Sequence, residues 1–319
     1  MDTNVGTVIT ADDVRAARRR TGDYVRRTPI LRADAHESGA DIWFKAEFLQ
    51  RCGVFKTRGA FNRQLRAREN GLLDAATGIV AASGGNAGLA NAYAASVLGV
   101  PATVFVPETA PRVKVDRLRA FGADVRQVGT EYSEAYAASQ SHVAETGALF
   151  SHAYDQPDIA AGAGVIGLEI VDDVPDVDTI VVAVGGGGLF AGIAAAVHDH
   201  GVRVVAVEPE LIPTLHDALD SGHPVDVSVS GVAADSLGAR RIGDVGFQVA
   251  QATDPISVLV TDDDIVDTRR ALWDEYRIPA EYGAAAALAA LRGGAYVPAR
   301  SETVAVIVCG ANTDPSTLR

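Results

Sequence analysis

The sequence predicts an α/β protein with two open parallel sheets, and three observations carry that expectation. Short β-branched runs alternate with longer alanine-rich segments of helical period, which is how parallel strands joined by covering helices read. The 319 residues, 48% of them hydrophobic, suffice for about two units with a core each. No internal repeat, low-complexity tract or long Gly/Ser linker interrupts the pattern, so the two units are expected to share the chain by insertion. Residues 1–49 with 153–319 would form the larger unit and residues 50–152 the smaller.

Taken in order, strands are expected at 79–82, 102–106, 124–128, 179–184, 202–207 and 303–308, where short runs rich in Val, Ile and Thr occur. Helices are expected at 86–98, 111–121, 131–145, 189–200 and 263–276, on the strength of alanine content and apolar spacing. Thr261-Asp262-Asp263-Asp264 sets a hydroxyl and carboxylates just ahead of an amphipathic stretch, so it reads as a helix N-cap in preference to a metal cluster.

A formal net charge of -13 argues against a nucleic-acid or anionic-membrane partner, because both need clustered Lys and Arg. The basic run Arg18-Arg19-Arg20, with Arg26 and Arg27, reads as a solvated helix face. Met1-Asp2-Thr3-Asn4 lacks a basic leader, and no uninterrupted apolar span reaches membrane length, so a cytoplasmic location is expected. Cys52 and Cys309 are too few for a disulfide framework and form no CxxC pair, which leaves structural zinc unsupported.

Lys56 stands out because the chain holds only two other lysines, Lys45 and Lys114, and otherwise uses arginine. An arginine cannot lose its proton, whereas a desolvated lysine becomes a neutral amine able to capture a carbonyl. Lys56 is thus a candidate covalent anchor, the alternative being a surface lysine at a helix start. Val181-Val182-Ala183-Val184 feeds Gly185, Gly186, Gly187 and Gly188, after which Leu189 opens a helix. Backbone N–H groups exposed without Cβ atoms at a helix start make a phosphate cradle. A nicotinamide-dinucleotide fingerprint is the rival, with Glu208 ending the next strand, although its GxGxxG spacing is not the one seen. Ser83-Gly84-Gly85-Asn86-Ala87-Gly88 is a second such turn, sized for a small carboxylate, and an ordinary capped turn is its alternative. Two anion loops and one reactive lysine together suit a cofactor bearing a phosphate and an aldehyde, with an amino acid as substrate: pyridoxal 5'-phosphate.

These residues resemble the fold-type II pyridoxal-phosphate enzymes, whose fold is like the tryptophan synthase β chain, and most closely the serine/threonine dehydratase (ammonia-lyase) family. The likeness lies in Trp43-Phe44-Lys45-Ala46-Glu47-Phe48-Leu49-Gln50 running into Gly53-Val54-Phe55-Lys56-Thr57-Arg58-Gly59-Ala60, in the asparagine loop, in the tetraglycine loop, and in Val308-Cys309-Gly310-Ala311-Asn312. The matches keep the family's order and run from about Thr28-Pro29 to the C-terminus. The resemblance implies that Lys56 carries the cofactor as a Schiff base and moves the substrate α-proton. It implies that Phe55 and Ala233 sandwich the ring and that Asn86 meets its phenolic oxygen. Gly185 to Leu189 would hold the phosphate, Ser83 to Ala87 the substrate carboxylate, and Cys309 would face the ring nitrogen, its alternative being a plain core cysteine. The implied reaction removes water from L-serine or L-threonine to give a 2-oxo acid and ammonia, in a homo-oligomer of dimer or tetramer size.

The departures from the family pattern are specific. Val54 replaces a serine, and Ala87 replaces the histidine of many threonine dehydratases. Gly84 occupies the place where serine racemases carry an opposite-face serine, so racemisation is expected to be weak. Glu208 resembles a cation-site glutamate, but Thr214 replaces the aspartate of divalent-binding relatives, which suggests potassium; a solvent-facing turn is the alternative. Glu281 heads Tyr282-Gly283-Ala284 and reads either as a cofactor-region carboxylate or as a helix start. Serine racemase, dehydratases of threo-3-hydroxyaspartate or aryl-serines, a β-replacement enzyme and a non-enzymatic binding protein remain as alternatives. The chain stops at Arg319, soon after Asn312, so no C-terminal regulatory domain is expected.

Overall fold

The computed structural model describes residues 9–34 and 38–318. The stretch read for a leader, residues 1–4, lies outside the described residues, as does Arg319. In chain order the elements are α1 (Ala11–Thr21), β1 (Ile30–Arg32), β2 (Asp41–Lys45), α2 (Lys56–Glu69), β3 (Ile79–Ala82), α3 (Asn86–Leu98), β4 (Ala102–Val106), α4 (Arg112–Ala120), β5 (Asp124–Gln127), α5 (Tyr132–Thr146) and β6 (Leu149–Phe150). There follow α6 (Pro157–Asp173), β7 (Thr179–Ala183), α7 (Gly188–Val197), β8 (Arg203–Pro209), α8 (Thr214–Ser221), α9 (Ala234–Leu237), α10 (Asp244–Thr253), β9 (Ile256–Val260), α11 (Asp262–Tyr276), α12 (Tyr282–Arg292) and β10 (Thr303–Ile307).

The strands form two sheets, one ordered β1-β2-β10-β7-β8-β9 and the other β5-β4-β3-β6. Every pairing is parallel except β1 with β2, a short antiparallel edge. Central strands such as β4, β7 and β10 are buried along their whole length, which is why they read as unbroken apolar runs. The six expected strands are all present. Val128, Val184 and Val308 lie one residue past their ladders yet still donate backbone hydrogen bonds to Val106, Val207 and Lys45. β8 runs on to Pro209 because β9, an edge strand not expected from sequence, pairs with Glu208 and Pro209.

The expected cap at Thr261 is present as a capping box with Asp264. The basic run is less solvated than expected, since Arg18 and Arg27 pair with Asp172 and Asp173 on α6, and Arg20 pairs with Glu69 on α2.

Helix α2 carries Lys56 and is held from two sides. Against α6 it packs at backbone distance: a Cβ on Gly59 would lie 2.7 Å from the Ile159 carbonyl oxygen, and one on Gly162 2.6 Å from that of Arg58. Within the first turn of the helix, the fully buried Arg58 donates to Glu47 (2.7 and 2.8 Å) and to Glu169 (2.8 and 2.9 Å). Lys45 Nζ, also buried, lies 2.7 Å from Glu169. Two cations and two carboxylates balance in this buried cluster, and each has several donors or acceptors, the condition under which burying charge is tolerated.

Candidate active site

The segment bearing Lys56 is stitched to the end of β10. Val54 forms a bridge with Gly310, Phe55 N–H donates to the Cys309 carbonyl at 3.1 Å, and Ala311 N–H donates to Gly53 O at 2.9 Å. Residues far apart in sequence, Lys56 and Cys309, thereby open into one cavity. Lys56 Nζ donates to Ala153 O at 3.1 Å and lies 5.0 Å from the Phe55 ring centroid. Burial lowers its pKa, while Cys309 and Glu281 pull in the opposite direction and lose.

The tetraglycine loop faces this lysine across the cavity. Its glycines are required by space as well as by conformation. Gly187 has φ +90, and a Cβ on Gly186 would lie 2.3 Å from the Tyr154 ring, while one on Gly188 would lie 2.6 Å from Tyr154 O. Helix α7 starts at Gly188 with no side-chain cap, so its first N–H groups are free for an anion. This uncapped cradle beside a desolvated amine fits a cofactor with a phosphate and an aldehyde.

The asparagine loop starts α3 in the same way, with Gly85 at the N-cap and no capping side chain. Ser83 Oγ accepts Gly85 N–H at 3.3 Å, and a Cβ on Gly88 would lie 1.9 Å from Ser83 O, so the loop folds tightly on itself. Gly84 and Gly85 line a depression beside the main cavity, with Lys114, Arg117 and Asp235 on its walls. Ala87 lines a further recess together with Lys56, Asn91 and His152. Asn86 belongs to the main cavity and donates to both oxygens of Glu281, at 2.8 and 3.0 Å.

Glu281 is therefore a cavity carboxylate. It stands at the N-cap position of α12 without making a side-chain cap, and burial pushes its pKa up to about 7. Gly310 makes room for it, since a Cβ there would lie 2.2 Å from Oε1. Cys309 is buried, with Sγ 3.9 Å from Gly283 O, and burial pushes its thiol pKa up, so it stays neutral.

Two expected site residues are fully buried and lie behind the cavity wall. Ala233, expected against the ring, is fully buried in the core of the six-stranded sheet, and its place on the cavity wall is taken by Ser236 and Leu237 of α9. Ala233 stands at the N-cap of α9, and the short helix that follows carries Ser236 and Leu237 to the cavity. Glu208 is fully buried, so it is no solvent-facing turn. Its carboxylate accepts Leu215 and His216 N–H at 2.7 and 2.8 Å at the start of α8, and Thr214 Oγ1 at 2.9 Å. Thr214 Oγ1 is also 2.6 Å from Gly185 O, which ties this carboxylate to the tetraglycine loop. Sequence reasoning missed Tyr154 from the loop after β6, Ser236 and Leu237 from the short helix α9, and Gly283 in the first turn of α12, none of which has a distinguishing pattern.

A model of the family described as pyridoxal-phosphate dependent enzyme matches residues 22–310. The chain belongs to the pyridoxal-phosphate dependent enzymes. Among the relatives of this pyridoxal-phosphate enzyme, L-threonine ammonia-lyase of Geobacter sulfurreducens is 38% identical over 310 residues, covering 96% of this chain and 76% of that one. Among solved structures, maize serine racemase superposes with a TM-score of 0.91 at 29% identity, covering 98% and 96% of the two chains. The processed form of threonine deaminase isoform 2 from Solanum lycopersicum superposes with a TM-score of 0.88 at 29% identity, covering 97% and 85%. These likenesses establish the fold-type II architecture expected from the sequence. Among the described residues no helix is long and apolar enough to cross a membrane.

Proposed function

We propose that this chain eliminates water from a β-hydroxy amino acid, L-threonine or L-serine, giving a 2-oxo acid and ammonia. The observation that carries the reading is the single cavity in which a desolvated lysine, an uncapped glycine cradle and a neutral thiol face one another. Relatives named L-threonine ammonia-lyase, covering 96% of the chain, support the same reaction.

Bound pyridoxal phosphate supplies the electron sink that lets the substrate α-proton leave. Gly185, Gly186, Gly187, Gly188 and Leu189 would hold its phosphate on backbone N–H groups. Phe55 and, in place of Ala233, Leu237 would flank its ring, and Asn86 would meet its phenolic oxygen. Ser83, Gly84, Gly85, Asn86 and Ala87 would hold the substrate carboxylate. Lys56, its pKa lowered by burial, takes the proton from Cα. The hydroxyl leaves Cβ with a proton as water, and the enamine left behind hydrolyses to 2-oxo acid and ammonia. A neutral Cys309 sets no anion against the ring nitrogen, which limits charge build-up there and favours elimination over transamination.

In this reading residues 50–152 close on 1–49 with 153–319 around the substrate, in a cytoplasmic homo-oligomer. A potassium ion near Glu208 would draw on Thr214 Oγ1 and the Gly185 carbonyl as further oxygen ligands.

The test is a panel of serine, threonine, threo-3-hydroxyaspartate and phenylserine, scored by oxo-acid release without added nucleophile, in potassium and in tetramethylammonium buffer. L-threonine or L-serine should lead, D-serine should form far more slowly than pyruvate, and Lys56→Ala should lose about 10³-fold or more in rate. D-serine appearing as fast as pyruvate would make the chain a racemase, and activity persisting in Lys56→Ala would remove the assigned base.

A further inference from the structure

We propose that Arg117 is a positioning residue that, through Asn312, sets which way the Asn86 amide faces. Asn86, Asn312 and Glu281 form a chain of side chains with Arg117 at its outer end. Arg117 Nη2 donates to Asn312 Oδ1 at 2.7 Å, Asn312 Nδ2 donates to Asn86 Oδ1 at 2.7 Å, and Asn86 Nδ2 donates to the Glu281 carboxylate.

An asparagine amide has one accepting and one donating end, and by itself either can face a neighbour. Arginine breaks this symmetry because a guanidinium only donates and keeps its proton. With Arg117 in place, Asn312 must turn its oxygen outward and its NH2 inward. Asn86 must then present its oxygen to Asn312 and its NH2 to Glu281. That NH2 donates to the Glu281 carboxylate inside the cavity that Asn86 shares with Lys56. The Arg117 end fixes the direction, and the Glu281 carboxylate, accepting from Asn86 Nδ2, agrees with it.

The chain also alternates between the two layers of the molecule. Arg117 on α4 and Asn86 on α3 pack with the four-stranded sheet, whereas Asn312 follows β10 and Glu281 precedes α12 beside the six-stranded one. Correct orientation of Asn86 thus requires both layers to be in contact. Lys114 of α4 and Asp235 of α9 form an ion pair across the same depression and reinforce that contact.

The inference rests on the functional reading above, and its test separates the two. Apoprotein of wild type, Arg117→Met, Arg117→Glu and Asn312→Asp is titrated with pyridoxal phosphate, and the absorbance of each loaded protein is followed against pH. Arg117 is exposed, so Arg117→Met should fold with an unchanged melting temperature. It should weaken cofactor binding about fivefold to tenfold, the worth of one hydrogen bond, and displace the pH midpoint of the absorbance. Arg117→Glu, which accepts where arginine donates and so reverses the chain, should be worse than Arg117→Met. Adding Arg117→Met to Asn312→Asp should cost nothing further, because both act through one amide. Equal affinity and an unmoved midpoint in both Arg117 variants would overturn the inference while leaving the functional reading intact. A wild-type protein that takes up no pyridoxal phosphate would sink both.

Discussion

Glu208 carries a carboxylate in surroundings that no arrangement of residue types announces. Burial lifts its pKa to about 7 against the pull of the Leu215 and His216 N–H groups and the Thr214 hydroxyl. The folded protein then binds a proton that the unfolded chain, with an ordinary carboxyl near 4.5, has already released. The resulting stability is complete below about pH 4.5 and is lost as pH rises through 7. Apoprotein unfolding midpoints should therefore fall between about pH 6 and pH 8, and the fall should be shallower in Glu208→Gln. Glu281, lifted to about 7 as well, keeps part of the slope. An equal slope in Glu208→Gln would show that the carboxylate is already ionised. Lys56 differs in how much the sequence reveals, because its scarcity and its neighbours marked it as reactive. Its lowered pKa arises from packing that only the fold supplies.

The tetraglycine loop shows how an element imposes its residues. Four glycines after a β-branched run are visible in sequence as an anion cradle, and the strand-to-helix turn is where they were expected. The reason each one is glycine lies elsewhere in the chain, in Leu237 of α9 against Gly185, in the loop after β6 against Gly186 and Gly188, and in residues at the start of α10 against Gly187. A methyl group on Gly186 would meet the Tyr154 ring and one on Gly187 would meet Ile242 Cδ1 at 2.6 Å. Gly186→Ala should accordingly push Tyr154 out of place and weaken pyridoxal phosphate binding by about tenfold or more, measured by fluorescence titration of apoprotein. Unchanged binding would mean that Tyr154 moves at little cost. Helices α6 and α12 illustrate the limit of periodicity at this scale. They are apolar on nearly every face because neighbours surround them, so they show no amphipathic stripe. β9 escaped notice for the opposite reason, being a half-exposed edge.

At the scale of the molecule, the cavity draws its walls from both sheets. Asn86 comes from the layer of β3 and β4, and the glycine loop, Cys309 and Glu281 come from the layer of β7 and β10. A ligand gripping both walls stabilises the assembled form by mass action, about 2.7 kcal/mol at a hundredfold excess over its dissociation constant. Stripping pyridoxal phosphate with an aldehyde-trapping amine should lower the melting temperature by several degrees, and adding it back should restore the loss. A melting temperature indifferent to the cofactor would contradict a site shared between layers. Composition, periodicity and the spacing of four short motifs were enough to determine the fold class and to single out Lys56 and the glycine loop as candidates, because each depends on local backbone demands or on rare residue types. Which side chains complete the walls, that Leu237 replaces Ala233 beside the cavity, and how Arg117, Asn312, Asn86 and Glu281 join into one directed chain were decided by tertiary structure. Those contacts link residues up to 226 positions apart, and no local pattern encodes a hydrogen bond whose partners meet only after two sheets have packed together.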